Sequence, residues 1–327
     1  MDRSIRTLAA SVSLLLAGMV FVSQPARAED YPTRPISFLQ GYAPGGTADV
    51  LTRIIGRELS TSLGQPVVVE ARTGAGGNLA SEQAARATPD GHTLVMLTTA
   101  HVISPSLYKK LGFDPIKDFE FVGNVVDAPY IIVVNADSPY KDIKELVDAA
   151  RAKPGAMTVG TAGVGTGQHI CEEIFASSIG TKFVHVPFRG DAAAVTGLLS
   201  HTVDFVVAPG TAIRANIKAG TLRALGISSS KRWAEFNDIP TIAETVVPGY
   251  DVVGWLGVAT THGVPKAIVD KLNAELKRAM AMPSVVQQIE NLGLVPHYTT
   301  EQEMKMRVVS QISRWHEAIV NAGIEQQ

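Results

Sequence analysis

Apolar and polar positions form two distinct patterns along the chain. Short β-branched runs at 36–40, 66–71 and 93–99 are separated by longer amphipathic runs at 47–63 and 78–87. The short runs predict strands and the longer ones predict helices, in the order β-α-β-α-β. Strands separated by helices are normally parallel, so their carboxyl ends lie along one edge of a sheet. A ligand is therefore expected at that edge.

The same alternation restarts at IIVVN (131–135), which predicts a second α/β domain. Further strands are predicted at 157–161, 183–188, 203–208 and 222–228, and further helices at 141–153, 169–178 and 192–200. The final part opens with WLGVAT at Trp255 and continues with predicted helices at 265–281, 284–292 and 300–322. Periodicity leaves open which domain this final part joins.

The first 28 residues have the features of a secretory signal peptide. Arg3 and Arg6 precede a 15-residue apolar run, and Ala26 and Ala28 form a small-x-small cleavage site, so cleavage is predicted after Ala28. The apolar run is shorter than the roughly 20 residues of a membrane-spanning helix. No cysteine follows it that could carry a lipid anchor. We expect an exported, periplasmic protein.

Charge and cysteine content exclude several classes of protein. The 327 residues include 29 basic and 31 acidic ones; removal of residues 1–28 leaves 26 basic and 30 acidic, a formal charge of −4. A nucleic-acid partner is not expected, because it would call for a basic excess or a basic stripe. The single cysteine, Cys171, cannot form an intramolecular disulfide. The predicted mature length of 299 residues suits about two domains.

The segment Leu39–Asp49 follows the first strand and enters the first predicted helix. Its glycines leave backbone N–H groups uncovered at the helix start, where the helix dipole also favours an anion. The candidate ligand-binding residues here are Tyr42, Gly45, Gly46, Thr47 and Asp49. Taken alone, an ordinary strand-to-helix connection is the commoner explanation.

A second glycine-rich turn spans Gly160–His169 and also precedes a helix. It lacks the third glycine of a dinucleotide motif and the lysine of a Walker A motif, so a nucleotide is not expected. Amides and hydroxyls in such a turn suit a carboxylate, and hydroxyls that cap their own helix are the alternative. Its candidate binding residues are Thr161, Gly163, Gly165, Thr166 and His169.

Three other strand ends supply further candidates. Thr98, Thr99 and His101 follow the third predicted strand in a loop whose small hydroxyl residues leave room for a bound solute. At the next site, Arg189 could pair with a ligand carboxylate or remain solvated, and Asp191 is placed to cap a helix. Gly210 opens another predicted helix after a strand.

Catalytic, metal and cofactor sites find no support in the sequence. There is no G-x-S-x-G elbow, no H-E-x-x-H pair and no cysteine–histidine signature. The histidines are scattered, unlike a set of metal ligands. Cys171 is expected to be buried and inert. We therefore expect no enzyme, no metal and no cofactor.

Several ordered segments resemble the Bug-type extracytoplasmic solute receptors, the substrate-binding subunits of tripartite tricarboxylate transporters. The segments are YPTRPISFLQGYAPGGTAD, LGQPVVVEARTGAGG, ATPDGHTL, LYKKLGFDPIKDF, VGTAGVGTGQH, HVPFRG, IKAGTLRALGIS, PTIAET and WLGVATTHGVP. The resemblance implies an α/β fold of the two-domain periplasmic binding protein type (type II, Venus-flytrap), with a ligand cleft between the domains. It implies domain 1 at 29–130 plus 254–327 and domain 2 at 131–253.

In such receptors a small carboxylate is held between the segments that match Tyr42 to Asp49, Thr98 to His101 and Thr161 to His169. Backbone amides and ordered water supply much of the binding. The family commonly has Val-Pro-Phe where this chain has Gln40-Gly41-Tyr42. Tyr42 adds a hydroxyl group to the cleft, so the identity of the ligand does not carry over.

The resemblance implies a monomer that captures a small carboxylate and delivers it to one large and one small polytopic membrane subunit. Two alternatives remain open at this point. The receptor could present its ligand to a membrane sensor, or an exported enzyme could act on a carboxylate through His101 or His169. The enzyme would need a nucleophile or an acid–base pair that the sequence does not show.

Overall fold

The computed structural model describes residues 31–321 and 323–327. The signal peptide predicted at residues 1–28 lies outside this range. None of the helices in the described part of the chain has the length and apolar character needed to cross a membrane.

Most of the strands and helices follow the predicted alternation. The strands are β1 (Ile36–Gln40), β2 (Val67–Ala71), β3 (Thr93–Thr98), β4 (Phe119–Asn135), β5 (Thr158–Thr161), β6 (Val184–Pro187), β7 (Phe205–Pro209), β8 (Leu222–Ile227), β9 (Val253–Thr261) and β10 (Val295–Pro296). The helices are α1 (Thr47–Leu63), α2 (Asn78–Ala85), α3 (Ala100–Leu107), α4 (Ile143–Ala152), α5 (Gly167–Ser178), α6 (Asp191–Leu199), α7 (Gly210–Lys218), α8 (Ile242–Thr245), α9 (Lys266–Met280), α10 (Pro283–Asn291) and α11 (Glu301–Asn321). Short 3-10 turns occupy Ala75–Gly77 and Ala234–Phe236.

The strands of the described region join into one mixed sheet in the order β2-β1-β3-β9-β4-β7-β5-β6, with β8 and β10 also paired to β4. β1 pairs in parallel with β2 and β3, and β5 pairs in parallel with β6 and β7. These two groups agree with the predicted parallel arrangement. The central strands β9 and β4 run antiparallel to their neighbours, which the sequence does not predict because an apolar run carries no information about strand direction.

Strand β4 is much longer than predicted. It begins at Phe119, and the predicted strand IIVVN is only its last part. Its first part pairs with β9, and its last residues pair with β7 and β8. Gly123, Asn124 and Pro129 interrupt the apolar pattern of the first part, and the register shifts around Gly123 and Asn124. This interruption explains why the sequence alone places the start of the strand too late.

The C-terminal part of the chain packs with the first three strands. β9 lies between β3 and β4, α9 packs against α1 and β4, and α11 packs against α3 and β4. Trp255, on β9, is 1% exposed and belongs to the core. The C-terminal part therefore contacts β3, β4, α1 and α3, and the division of the chain into two domains stays a prediction.

The fold brings five strand-to-helix junctions together. Helices α1, α3, α5, α6 and α7 each begin within seven residues of the carboxyl end of a strand. Burial of the apolar strands fixes the sheet, and the sheet fixes where these helices start. The first turn of a helix leaves backbone N–H groups without a partner inside the helix, and such a position suits an anion.

Candidate ligand-binding site

One pocket is lined by residues from all five junctions. Gly46 and Thr47 come from the start of α1, Thr99 from the start of α3 and Gly167 from the start of α5; Pro209 precedes α7. The start of α6 contributes through residues 190–192. The pocket holds about 700 Å³ of empty space, including its opening to solvent. A concave, mostly apolar pocket with a few polar groups is typical of a small-molecule site.

The turn before α1 is held by a buried carboxylate. Asp49 accepts hydrogen bonds from the Gly45 amide at 3.0 Å, from Arg53 at 3.0 Å and from Gln40 at 3.3 Å. Burial alone would raise the pKa of Asp49, but the bonds from Arg53 and Gly45 outweigh it and lower that pKa. Asp49 is therefore ionised and used within the turn, and its side chain lies outside the pocket lining.

Tyr42 connects three segments at the pocket wall. Its hydroxyl donates to the Gly76 carbonyl at 2.8 Å and lies 2.9 Å from Thr98 Oγ1. Its amide donates to Gln40 Oε1 at 2.7 Å. Burial raises the pKa of the Tyr42 phenol, so it is neutral at physiological pH. Tyr42, which the sequence analysis identifies as a departure from the family pattern, is thus held in place by hydrogen bonds from both its hydroxyl and its amide.

The polar side chains of the turn before α5 bond mainly to their own segment. Thr166 caps α5: its hydroxyl donates to the Gly163 carbonyl at 2.7 Å and accepts from the His169 amide at 3.4 Å. Thr161 Oγ1 lies 2.6 Å from His185 Nε2. This is the helix-capping alternative, and it leaves Ala162, Gly167 and Gln168 as the part of the turn that lines the pocket.

His169 lies behind the pocket and is neutral. Its ring stacks on His185 with 4.2 Å between the ring centroids. Burial, together with the neighbouring His185, lowers the pKa of His169 to about 3, and burial lowers the pKa of His185 to about 4. Neither ring carries a charge at pH 7 that could attract an anion.

The same turn of α5 contains a group of potential metal ligands. Among the described residues, His169, Glu172 and Glu173 have ligand atoms that all lie within 4.8 Å of one another. Burial raises the pKa of Glu172 to about 8, so this carboxyl group is protonated at neutral pH and is a weak ligand in that form. The sequence predicts no metal, and this group gives no reason to propose one.

His101 belongs to helix α3, although the sequence predicts a loop there. Its Nε2 lies 2.8 Å from the Pro115 carbonyl oxygen, and its ring contacts Phe113 and Phe119. Burial lowers the pKa of His101 to about 4. The ring is therefore a neutral core group outside the main pocket lining. Thr99 reaches that lining, and its hydroxyl accepts from the Trp255 amide at 2.8 Å.

Asp191 is not the helix cap that the sequence predicts. Gly190 occupies the N-cap position of α6, and no side chain caps that helix. The carboxylate of Asp191 instead accepts from Thr47 Oγ1 at 3.2 Å and from Gln168 Nε2 at 2.8 Å, which connects the first turns of α1, α5 and α6. Burial raises the pKa of Asp191 to about 6, against the opposite effect of these hydrogen bonds.

The predicted site residues divide into two sets. Seven line the pocket: Tyr42, Gly46, Thr47, Thr98, Thr99, Arg189 and Asp191. Nine lie outside that lining: Gly45, Asp49, His101, Thr161, Gly163, Gly165, Thr166, His169 and Gly210. Most of the second set belong to the turns that hold the pocket wall. Gly210 differs, because it packs against Gly293 and Trp233.

Comparison with known proteins identifies the family. The sequence profile described as "Tripartite tricarboxylate transporter family receptor" matches residues 51–324. The chain belongs to this receptor family. The predicted Bug-type resemblance is thereby confirmed.

Relatives of this receptor match over nearly their whole length. The "UPF0065 protein in tcbD-tcbE intergenic region" of Pseudomonas sp. (strain P51) is 36% identical over 94% of this chain and 92% of its own. The solved structure of R. palustris Rpa4515 with adipate has a TM-score of 0.87 and 30% identity, covering 91% of this chain and 100% of that one. MatC from Rhodopseudomonas palustris with bound malate has a TM-score of 0.83 and 29% identity, covering 88% and 100%. The α/β periplasmic binding protein fold is thus shown.

The receptor also has pocket residues that the sequence does not single out. Tyr130 and Trp255 line the pocket from the central strands β4 and β9. The Tyr130 hydroxyl packs against Gly167 and Gly254, and a Cβ atom at either glycine would overlap it. The signal that could have identified Tyr130 is its position next to the IIVVN run, where an aromatic hydroxyl in an apolar strand needs a polar surrounding.

Proposed function

We propose that this protein is a periplasmic solute receptor that holds a small carboxylate in the pocket and delivers it to the membrane subunits of a tripartite transporter. The family assignment supports the receptor role. The adipate and malate bound by Rpa4515 and MatC support a carboxylate as the ligand. The signal peptide predicted at residues 1–28 supports export.

The convergence of helix starts on one pocket carries the proposal. An anion at a helix N-terminus gains about 0.3–1 kcal/mol when exposed and up to about 2 kcal/mol when partly buried. Micromolar affinity requires about 8 kcal/mol. One helix therefore cannot hold such a ligand, whereas contributions from α1, α3, α5, α6 and α7 can add up. In this proposal, the helix starts that line the pocket surround a single bound ligand.

We further propose that the pocket binds its ligand without chemical conversion. The nearby imidazoles of His101 and His169 are neutral and bonded or stacked within the core. The phenol of Tyr42 is also neutral, since burial raises its pKa. Fixed neutral groups of this kind can orient a ligand, but they supply no strong base.

A thermal-shift screen of the mature protein, beginning at Glu29, tests the proposal. The screen compares monocarboxylates, dicarboxylates, tricarboxylates, aromatic acids and amino acids, with calorimetry on each hit. A ligand that binds only the native state raises the melting temperature. At a free ligand concentration of 100 times Kd, it raises the free energy of unfolding by about 2.7 kcal/mol.

We expect a saturable shift with at least one carboxylate and an unchanged ligand mass after incubation. Absence of a shift with every carboxylate would contradict the proposed ligand class. Conversion of the ligand would contradict the receptor role. Loss of carboxylate uptake in cells that lack the protein would test delivery to the transporter.

A further inference from the structure

Two side chains of opposite charge line the pocket. Among the described residues of its lining, Arg189 and Asp191 are the charged ones. Arg189 is exposed, whereas Asp191 is half-buried and lies between three helix starts. A carboxylate in a pocket built for an anion needs an explanation.

The neighbours of Asp191 do not neutralise it. Its oxygens accept from the Thr47 hydroxyl and the Gln168 side-chain amide, and the Thr47 backbone amide also bonds to it; all of these donors are uncharged. Thr47 Oγ1 is itself 2.5 Å from Thr211 Oγ1, so the contact extends to the start of α7. No lysine, arginine or histidine among the described residues forms an ion pair with Asp191.

Asp191 has no function as a helix cap either, because Gly190 takes that position and no side chain accepts from the first amides of α6. The pocket surface around it is mostly apolar, with Tyr42, Tyr130 and Trp255 among its lining residues. A half-buried charge without a partner is unfavourable in such surroundings, and a cation brought by a ligand would relieve it.

The same charge discriminates against some ligands. A second carboxylate of the ligand would be repelled by Asp191. A protonated amine would be attracted to Asp191 and could form an ion pair with it. The first turns of the other helices at the pocket would then bind the carboxylate at the other end of the ligand.

We propose that Asp191 selects a zwitterionic ligand, an acid whose protonated amine pairs with this carboxylate while its own carboxylate binds at the helix starts. This inference rests on the proposed function and names the ligand class of the same pocket.

Calorimetry with matched ligands tests the proposal. The probes are γ-aminobutyrate, δ-aminovalerate, alanine and leucine, each compared with the monocarboxylate of the same carbon skeleton and with succinate, glutarate and adipate. We expect at least one amino acid to bind about tenfold or more tightly than its amine-free analogue. Loss of a charged hydrogen bond predicts that D191N reduces this advantage by roughly tenfold to a hundredfold.

The control is Asp148→Asn, which removes the same charge from an exposed position on α4. It should leave the preference unchanged, and a thermal melt of each variant checks that it is folded. Equal binding of amino acids and their amine-free analogues, or an amine preference that survives D191N, would overturn the proposal. If dicarboxylates bind and amino acids do not, the receptor role stands and only the zwitterion is excluded. If no carboxylate of any kind binds, the proposed function itself fails.

Discussion

The turn before α1 and the turn before α5 face the same pocket in different ways. The first places the Tyr42 and Thr47 side chains on the pocket wall, where their hydroxyls bond to other segments, and Asp49 holds its backbone from behind. In the second turn the hydroxyl groups bond to protein groups outside the pocket lining: Thr166 caps α5 and Thr161 contacts His185.

The two turns therefore contribute different groups to the pocket. Side chains of the first turn can recognise particular groups of a ligand, whereas the second turn supplies mainly backbone groups and Gln168. A variant in the first turn should therefore change affinity, and a variant in the second should change stability. The predictions below test this contrast, from the largest expected effect to the smallest.

Substitution of Gly46 by valine should reduce affinity for the best carboxylate by roughly tenfold to a hundredfold, the scale of overpacking. Gly46 has φ −76° and ψ 169°, which any residue adopts, so the fold should persist. Its Cβ would lie 3.3 Å from the Ala43 carbonyl oxygen, and the valine methyl groups would crowd the pocket beyond it. Calorimetry measures the loss. Gly46→Ala is the matched control with a smaller effect, and full affinity in Gly46→Val would show that the turn is only structural.

Substitution of Gly167 by alanine should destabilise the protein by about 1–3 kcal/mol. The new methyl group would overlap the Tyr130 hydroxyl. Tyr130→Phe removes the oxygen that the methyl group meets, so the double variant should be more stable than the sum of the single effects predicts. Urea unfolding of the four proteins measures this coupling. Strictly additive effects would contradict the contact between β4 and the start of α5.

Asp191→Asn should stabilise the ligand-free protein at pH 7.5 by about 1–2 kcal/mol. Burial raises the folded-state pKa of Asp191 to about 6 from its ordinary value of 3.8, so ionisation favours the unfolded state. The cost therefore grows as pH rises from about 4 to about 6 and then levels off. The nearby phenols of Tyr42 and Tyr130 are neutral throughout, since burial raises the pKa of each.

The measurement is the difference in unfolding free energy between the parent protein and Asp191→Asn, by urea titration at pH 4 and pH 7.5. The difference should be small at pH 4 and larger at pH 7.5. A variant that is less stable than the parent protein at pH 7.5 would show that Asp191 contributes to folding more than to ligand selection.

Thr166→Ala should lower stability by about 1 kcal/mol, the usual effect of removing an N-cap. Its hydroxyl caps α5 and lies outside the pocket lining, so affinity for a carboxylate should stay within about twofold. Thr47→Ala is the matched variant in the first turn, and there affinity should change more than stability. The reverse pattern would contradict the contrast between the two turns.

The alternation of apolar runs predicts most of the elements because most strands and helices here are long enough to show their period. Short elements such as β10 and α8 show none, and the sequence does not predict them. The alternation also identifies the junctions where Tyr42, Gly46 and Thr47 line the pocket. It does not predict which hydroxyl groups line the pocket and which bond within their own turn. That depends on hydrogen bonds such as the one from Thr166 to the Gly163 carbonyl.

Two further features depend on contacts between distant parts of the chain. Tyr130 lines the pocket from a strand whose start the sequence places too late, and Trp255 pairs opposite Asp127 across an antiparallel ladder. Antiparallel pairing of β4 with β9 joins segments more than a hundred residues apart. A local pattern cannot reveal such a contact.

Calorimetric comparison of a bound carboxylate with its uncharged primary amide tests the central claim most directly. The two molecules share their shape, so any difference in affinity reports how strongly the helix starts favour the negative charge. We predict that the carboxylate binds at least about tenfold more tightly, a difference of about 1.4 kcal/mol. Equal affinities for the acid and the amide would contradict the account.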